Sequence, residues 1–338
     1  MPSSFKEFLA SRDAPAPAPA PAPTRKKKQA AVAPPAPPPA PPVRLPLGFG
    51  KQTIAGVEVW YVRPERCTGL LFVAHGMCHG AYDWFRGDEV AGGVGLPEEV
   101  AIVRAASARG YAVAAVSSLD RSRKAWSPEA DGPRVAAALD ALAAALGGRG
   151  TLRVAAFGAS NGGAFVLHLT RFVALDAVCC AIMALAPREL EFLAANPKFP
   201  RVAVFDHMPR DAQTARAAAA NVALLRAAGH AAVELRVPPR AVDGAFLGDR
   251  AGLPRGAADD AAAALAAAGL LAADGSLADD PRRSAWRGVL RPVLARHGVA
   301  DALVADASAV AELMNVAFAA HELAATNIGA ILDAFASP

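Results

Sequence analysis

Leu152-Arg153-Val154-Ala155-Ala156-Phe157-Gly158-Ala159-Ser160-Asn161-Gly162-Gly163-Ala164 is the stretch on which the reading of this chain turns. An apolar strand, Leu152 to Phe157, runs into a glycine-flanked serine, and a helix is expected from Ala164 to Phe172. A serine at the tip of a sharp strand-to-helix turn needs very small residues two positions before and two after it. The backbones there pass within contact distance. Gly158 and Gly162 meet that need, and Gly163 allows closer packing still. At the helix N-terminus, unbonded amides and the helix dipole favour a developing oxyanion. The bland reading is a glycine-rich turn that cradles phosphate, but GASNGG lacks the Lys-Ser/Thr pair of a P-loop.

Outward from this turn the chain alternates. Before it, Gln52 to Tyr61 reads as a hairpin about Ala55-Gly56, and Gly69 to Ala74 as a strand buried on both faces. A helix over Pro97 to Arg109, a strand over Tyr111 to Val116 and a helix over Gly132 to Leu146 follow. After the turn come strands at Ala177 to Met183, Arg201 to Phe205 and Ala232 to Val237, with a helix from Ala212 to Ala228. Buried strands separated by helices of this length predict an α/β fold, a mostly parallel sheet flanked by helices, entered through an N-terminal hairpin.

At this point the sequence resembles the α/β-hydrolase superfamily over roughly residues 51–335. Its second mark is Leu70-Leu71-Phe72-Val73-Ala74-His75-Gly76-Met77, an apolar strand ending in His-Gly. The resemblance implies that the backbone N–H groups of Met77 and Asn161 form an oxyanion hole, with His75 structural rather than a base. Cys78 and His79 are a thiol and an imidazole side by side, but adjacent side chains rarely converge, so a Cys78 nucleophile is disfavoured. Chain order in this superfamily is nucleophile, acid, histidine. Asp211 is the preferred acid, just before a helix, with Asp206 as competitor and a plain helix N-cap as the alternative role for Asp211.

The base departs from the pattern. The loop after the last strand, Pro238 to Phe246, contains no histidine. Beyond it lie only His297, which reads as a helix C-cap, and His321, just before the final helical run. His321 is therefore the expected base, with a buried core histidine as its alternative and His207 as a substitute. The resemblance then requires roughly 65 residues inserted between the last strand and this histidine. Within them, about 247–308 reads as a helical insertion with helices at Ala257 to Leu271 and Asp280 to Arg296, either a lid or packing against the core.

Composition limits the other classes. The 54% hydrophobic fraction supports a sizeable core and excludes wholesale disorder. No run reaches the ~18 apolar residues of a spanning helix. The net charge of +4 equals the single block Arg25-Lys26-Lys27-Lys28, so no basic stripe points to nucleic acid. Half of the 28 prolines precede Gly48, which marks residues 1–47 as an Ala/Pro-rich disordered tail ahead of a hydrolase domain over 48–338. The start lacks an apolar signal region, and Glu7 and Asp13 suit a presequence poorly, so a cytoplasmic protein is expected. Four cysteines without CxxC spacing argue against a zinc or disulfide framework, and neither metal nor cofactor is expected. The expected function is ester hydrolysis of a small-molecule ester or acyl substrate on Ser160. A serine peptidase, an acyltransferase and a non-catalytic binding protein stand as alternatives.

Overall fold

The computed structural model describes residues 43–299, 303–305 and 307–337. The expected tail therefore lies, up to residue 42, outside the described residues. Leu45 is already buried in the core, and the Arg63 guanidinium donates to its carbonyl.

Eight strands make one sheet: β1 (Gly48–Ile54), β2 (Val57–Arg63), β3 (Gly69–Ala74), β4 (Tyr111–Ala115), β5 (Arg153–Ala159), β6 (Ala177–Ala181), β7 (Val202–His207) and β8 (Ala231–Arg236). Their spatial order is β1-β2-β4-β3-β5-β6-β7-β8. The β1–β2 and β2–β4 pairs are antiparallel, and every other pair is parallel. This is the α/β-hydrolase fold. The strand order reverses at β3, so β3 and β5 lie side by side with their carboxyl ends level: Val73 pairs with Phe157 and Ala74 with Gly158. Crevices at such switch points, outside the strand carboxyl ends, are where open α/β sheets place ligands.

Period-2 alternation divides the strand side chains between two cores. Leu70, Phe72 and Ala74 pack on one face against α2 (Pro128–Ala145), α3 (Asn161–Leu169), α4 (Pro187–Ala194) and α5 (Ala212–Ala227). Leu71 and Val73 pack on the other against α1 (Pro97–Ala108) and the last helix, Ile328–Ala336. A third core, built around the fully buried Trp286, joins α6 (Gly244–Ala251), α7 (Arg255–Ala267), α8 (Trp286–Arg296) and α9 (Ala309–Phe318). The last helix is thus α10. Among the described residues no helix is long and apolar enough to cross a membrane.

Four helix starts differ from the sequence expectation, α7 by two residues, at Arg255 rather than Ala257. α2 begins at Pro128 rather than Gly132, because proline suits the first helical position and Asp131 accepts the Ser127 N–H. α3 begins directly after Ser160, so Gly162 and Gly163 lie inside the helix. α8 begins at Trp286, because 280–285 forms a turn in which the Asp280 carbonyl accepts from Arg283 and Ser284.

Candidate active site

Ser160 sits between β5 and α3 with φ 52° and ψ −118°, a left-handed conformation that a non-glycine residue adopts only when its surroundings enforce it. Its N–H donates to the Ala181 carbonyl at 2.8 Å, and its carbonyl accepts from Ala164. The flanking glycines are required by contact. A Cβ on Gly158 would lie 2.1 Å from the Gly162 carbonyl oxygen, and one on Gly162 would lie 2.4 Å from the carbonyl oxygens of Ala74 and His75. The elbow thus presses against the end of β3. That brings Gly76 beside the serine: a Cβ there would stand 3.9 Å from Ser160 Cβ.

The polar chain runs from Ser160 through His321 to Asp211. Ser160 Oγ is 3.0 Å from His321 Nε2, and His321 Nδ1 is 2.9 Å from Asp211 Oδ2. With the carboxylate accepting from Nδ1–H, Nε2 is left to accept the serine proton. Asp211 also caps α5, since Oδ1 accepts the Thr214 N–H at 3.1 Å. Asp211 thus bonds an imidazole with one oxygen and caps the helix with the other. Burial works to raise the Asp211 pKa, but the His321 and Thr214 hydrogen bonds prevail and hold it at about 2.

The other residues singled out have different partners. Asp206 is buried on β7 and accepts from Asn327 Nδ2, and burial lifts its pKa to about 6. His207 is buried and lies 2.9 Å from Glu234. His297 is the C-cap of α8 and pairs with Asp260. His75 accepts the Ser118 N–H on Nε2 and donates from Nδ1 to the Gly76 carbonyl, and burial drops its pKa to about 3. It is a neutral imidazole shaping the turn. Cys78 is exposed, and its neighbour His79 turns away to Asp83, 3.3 Å distant.

Two backbone amides follow the residues that meet at this turn, Asn161 directly after the serine and Met77 directly after Gly76. Asn161 is the first residue of α3, so its N–H is one of the donors a helix leaves unbonded. The Met77 N–H has no acceptor among the described residues. The Asn161 side chain is separately engaged, accepting from the Trp126 N–H, while Trp126 Nε1 donates to the His75 carbonyl. One indole residue therefore ties the elbow to the β3 turn.

The loop carrying His321 runs from α9 to α10 and is fastened from four directions. Arg210 N–H donates to the Ala319 carbonyl, and Ala325 N–H to Glu98 Oε2. Asn327 reaches Asp206, and the Arg282 guanidinium donates to the His321 carbonyl and to Glu322 Oε2. Glu322 is held in turn by Asn315 Nδ2 at 2.9 Å. Sequence reasoning missed Arg282, Glu322 and Asn315. The adjacency of Glu322 to His321 was the one available signal, and nothing marked Arg282. Among the described residues no group of three His, Cys, Asp or Glu is arranged to hold a metal ion.

Comparison with known proteins finds no matching family model and no matching curated protein. Solved structures do align. A dienelactone hydrolase from Anabaena variabilis ATCC 29413 is 16% identical, covering 57% of this chain and 88% of that one with a TM-score of 0.42. A dienelactone hydrolase-like promiscuous phosphotriesterase from metagenomic libraries is 20% identical over 61% of this chain and 89% of its own, TM-score 0.40. TT1662 from Thermus thermophilus is 16% identical over 57% and 90%, TM-score 0.40.

Proposed function

We propose that the protein is a serine hydrolase that cleaves carboxylic esters of small molecules through an acyl-enzyme on Ser160. The observation that carries this reading is the unbroken relay of 3.0 and 2.9 Å from Ser160 through His321 to Asp211. Ser160 Oγ bonds to the ester carbonyl carbon while its proton passes to His321 Nε2. Asp211, ionised at any pH well above 2, holds the imidazole tautomer and stabilises the imidazolium. The Met77 and Asn161 amides receive the charge developing on the carbonyl oxygen. The C–O bond to the alcohol then breaks, and the alcohol leaves with the proton from His321. Water adds to the acyl-enzyme by the same route, its proton going to His321 and then to Ser160, which releases the acid.

A non-catalytic binding pocket would give His321 no reason to lie between a hydroxyl and a carboxylate. The deciding experiment is labelling with a fluorophosphonate probe, alongside hydrolysis of p-nitrophenyl butyrate. Wild type is expected to label and turn over, and Ser160→Ala and His321→Ala to do neither while melting as cooperatively as wild type. Folded wild type that neither labels nor hydrolyses would sink the proposal.

A further inference from the structure

A small pocket of about 40 Å³ lies beside the serine, walled by His79, Gly80, Tyr82, Ser117, Ser118, Arg121 and Lys124. The loop after β3 and the loop after β4 form it together. Lys124 Nζ donates to the Cys78 carbonyl at 3.1 Å, and Cys78 N–H donates to the Arg123 carbonyl. Gly76 separates the pocket from the elbow: a Cβ on it would meet His79 Cδ2 at 3.7 Å and Ser160 Cβ at 3.9 Å. The space is about three times what one water needs, enough for a group the size of a carboxylate.

Its walls are cationic. Lys124 and Arg121 both face it, and among the described residues no acid pairs with the Arg121 guanidinium. The nearest acid on that loop, Asp120, is already engaged by Arg123 and Ser122. Burial disfavours a charged His79, but the Asp83 carboxylate and the charges of Glu99 and Glu322 outweigh it and keep its pKa near 9. That ring is a cation at neutral pH, and the Asp83 carboxylate lies 3.3 Å from it and also acts on Lys124. Of the two hydroxyls in the lining, Ser117 Oγ accepts the Ala81 N–H and keeps its own proton to donate, while Ser118 Oγ already donates to the Asp120 carbonyl at 3.4 Å. An arginine and a lysine lining one small pocket suit a carboxylate.

We propose that this pocket is an anion subsite, and that the preferred esters carry a carboxylate a short chain away from the scissile carbonyl. The inference rests on Ser160 being the nucleophile, and the experiment keeps the two apart. Values of kcat/KM are compared for p-nitrophenyl hemiglutarate and the neutral, equally long p-nitrophenyl valerate. Wild type, Arg121→Gln and Lys124→Gln are each assayed at 25 and 250 mM NaCl. The anionic ester is expected to be preferred tenfold or more at low salt. That ratio should fall at least fivefold in each variant and shrink as salt rises. A wild-type ratio at or below one, or a ratio unmoved by both substitutions, overturns the proposal.

Calorimetry on Ser160→Ala with glutarate and with inorganic phosphate gives a second arm that needs no turnover. Glutarate binding that weakens tenfold when Arg121→Gln is added supports the subsite. Phosphate binding more tightly than glutarate, or no glutarate binding, overturns the carboxylate assignment. If wild type neither labels with fluorophosphonate nor hydrolyses valerate, the hydrolase reading fails, and the glutarate titration still decides the pocket.

Discussion

Asp211 divides its two carboxylate oxygens between an imidazole and a helix cap, and the division makes its roles separable. In Asp211→Asn the amide oxygen can still accept the Thr214 N–H, but no carboxylate remains to hold the tautomer. The expected result is a loss of about 10³–10⁴ in kcat with little change in Tm. Asp211→Ala loses both functions. The lost cap, worth about 1 kcal/mol, adds a fall of about 2–4 °C in Tm, read by calorimetry beside the ester assay. If Asn and Ala lower Tm equally, the capping role is wrong. If Asn retains wild-type kcat, the catalytic one is.

At the scale of elements, the unusual feature is that the histidine loop hangs from the helical layer rather than directly from β8. Arg282, in the turn between α7 and α8, grips the His321 carbonyl and the Glu322 carboxylate with one guanidinium nitrogen. Exposed ion pairs contribute little to stability, so the consequence of this grip is positional. We expect Arg282→Ala to lower kcat about 10- to 100-fold while KM and Tm stay near wild type. Arg282→Lys should recover only part, since an ammonium on a more flexible stem is less well held in place. A parallel loss of Tm and kcat, with Lys no better than Ala, would reduce the contact to ordinary packing. The region expected as a lid or as packing therefore has at least this second occupation, as the support of the proposed base.

The same layers meet over a buried pair of acids. Glu99 on α1 and Glu312 on α9 face each other, both buried and both raised in pKa. Burial is the leading cause at each; the Glu99 charge raises Glu312 further, while Glu312 and His79 partly offset burial at Glu99. Glu99 stands at about 7 against an ordinary 4.5. A raised carboxyl keeps in the fold a proton that the unfolded chain releases. Its contribution is therefore intact below about 4.5 and is lost as pH rises through about 7. Asp206, raised to about 6, and His79, held near 9, act in the same direction. His75, held near 3, opposes them up to about pH 6.5, so we expect Tm to fall as pH rises from 6.5 to 8, and the slope to flatten in Glu312→Gln, where an amide replaces one acid. Equal slopes in calorimetric scans of the two proteins would show that the pair shares no proton.

The turn at Ser160 was legible from sequence because its constraint is local. Backbone contact at 2.1–2.4 Å tolerates glycine alone at positions 158 and 162, and that demand is written directly in the residues. The strands were legible for a related reason, since a strand buried on both faces must be apolar throughout. Helix starts were read several residues off because a proline or an aspartate at a first turn competes with the periodicity that marks the body. The choice between Asp211 and Asp206 was open in the sequence. Both lie within six residues of Phe205, and only the path of a loop more than a hundred residues later brings an imidazole to one of them. The support from Arg282 and the cationic pocket beside the serine left no linear pattern, because their members lie on segments joined solely by folding. The sequence by itself determined the sheet and the strained serine, whose requirements are short-range. Only the tertiary structure brought His321 and Asp211 to that serine and gathered Arg121 and Lys124 about one pocket, because their meeting depends on long-range packing.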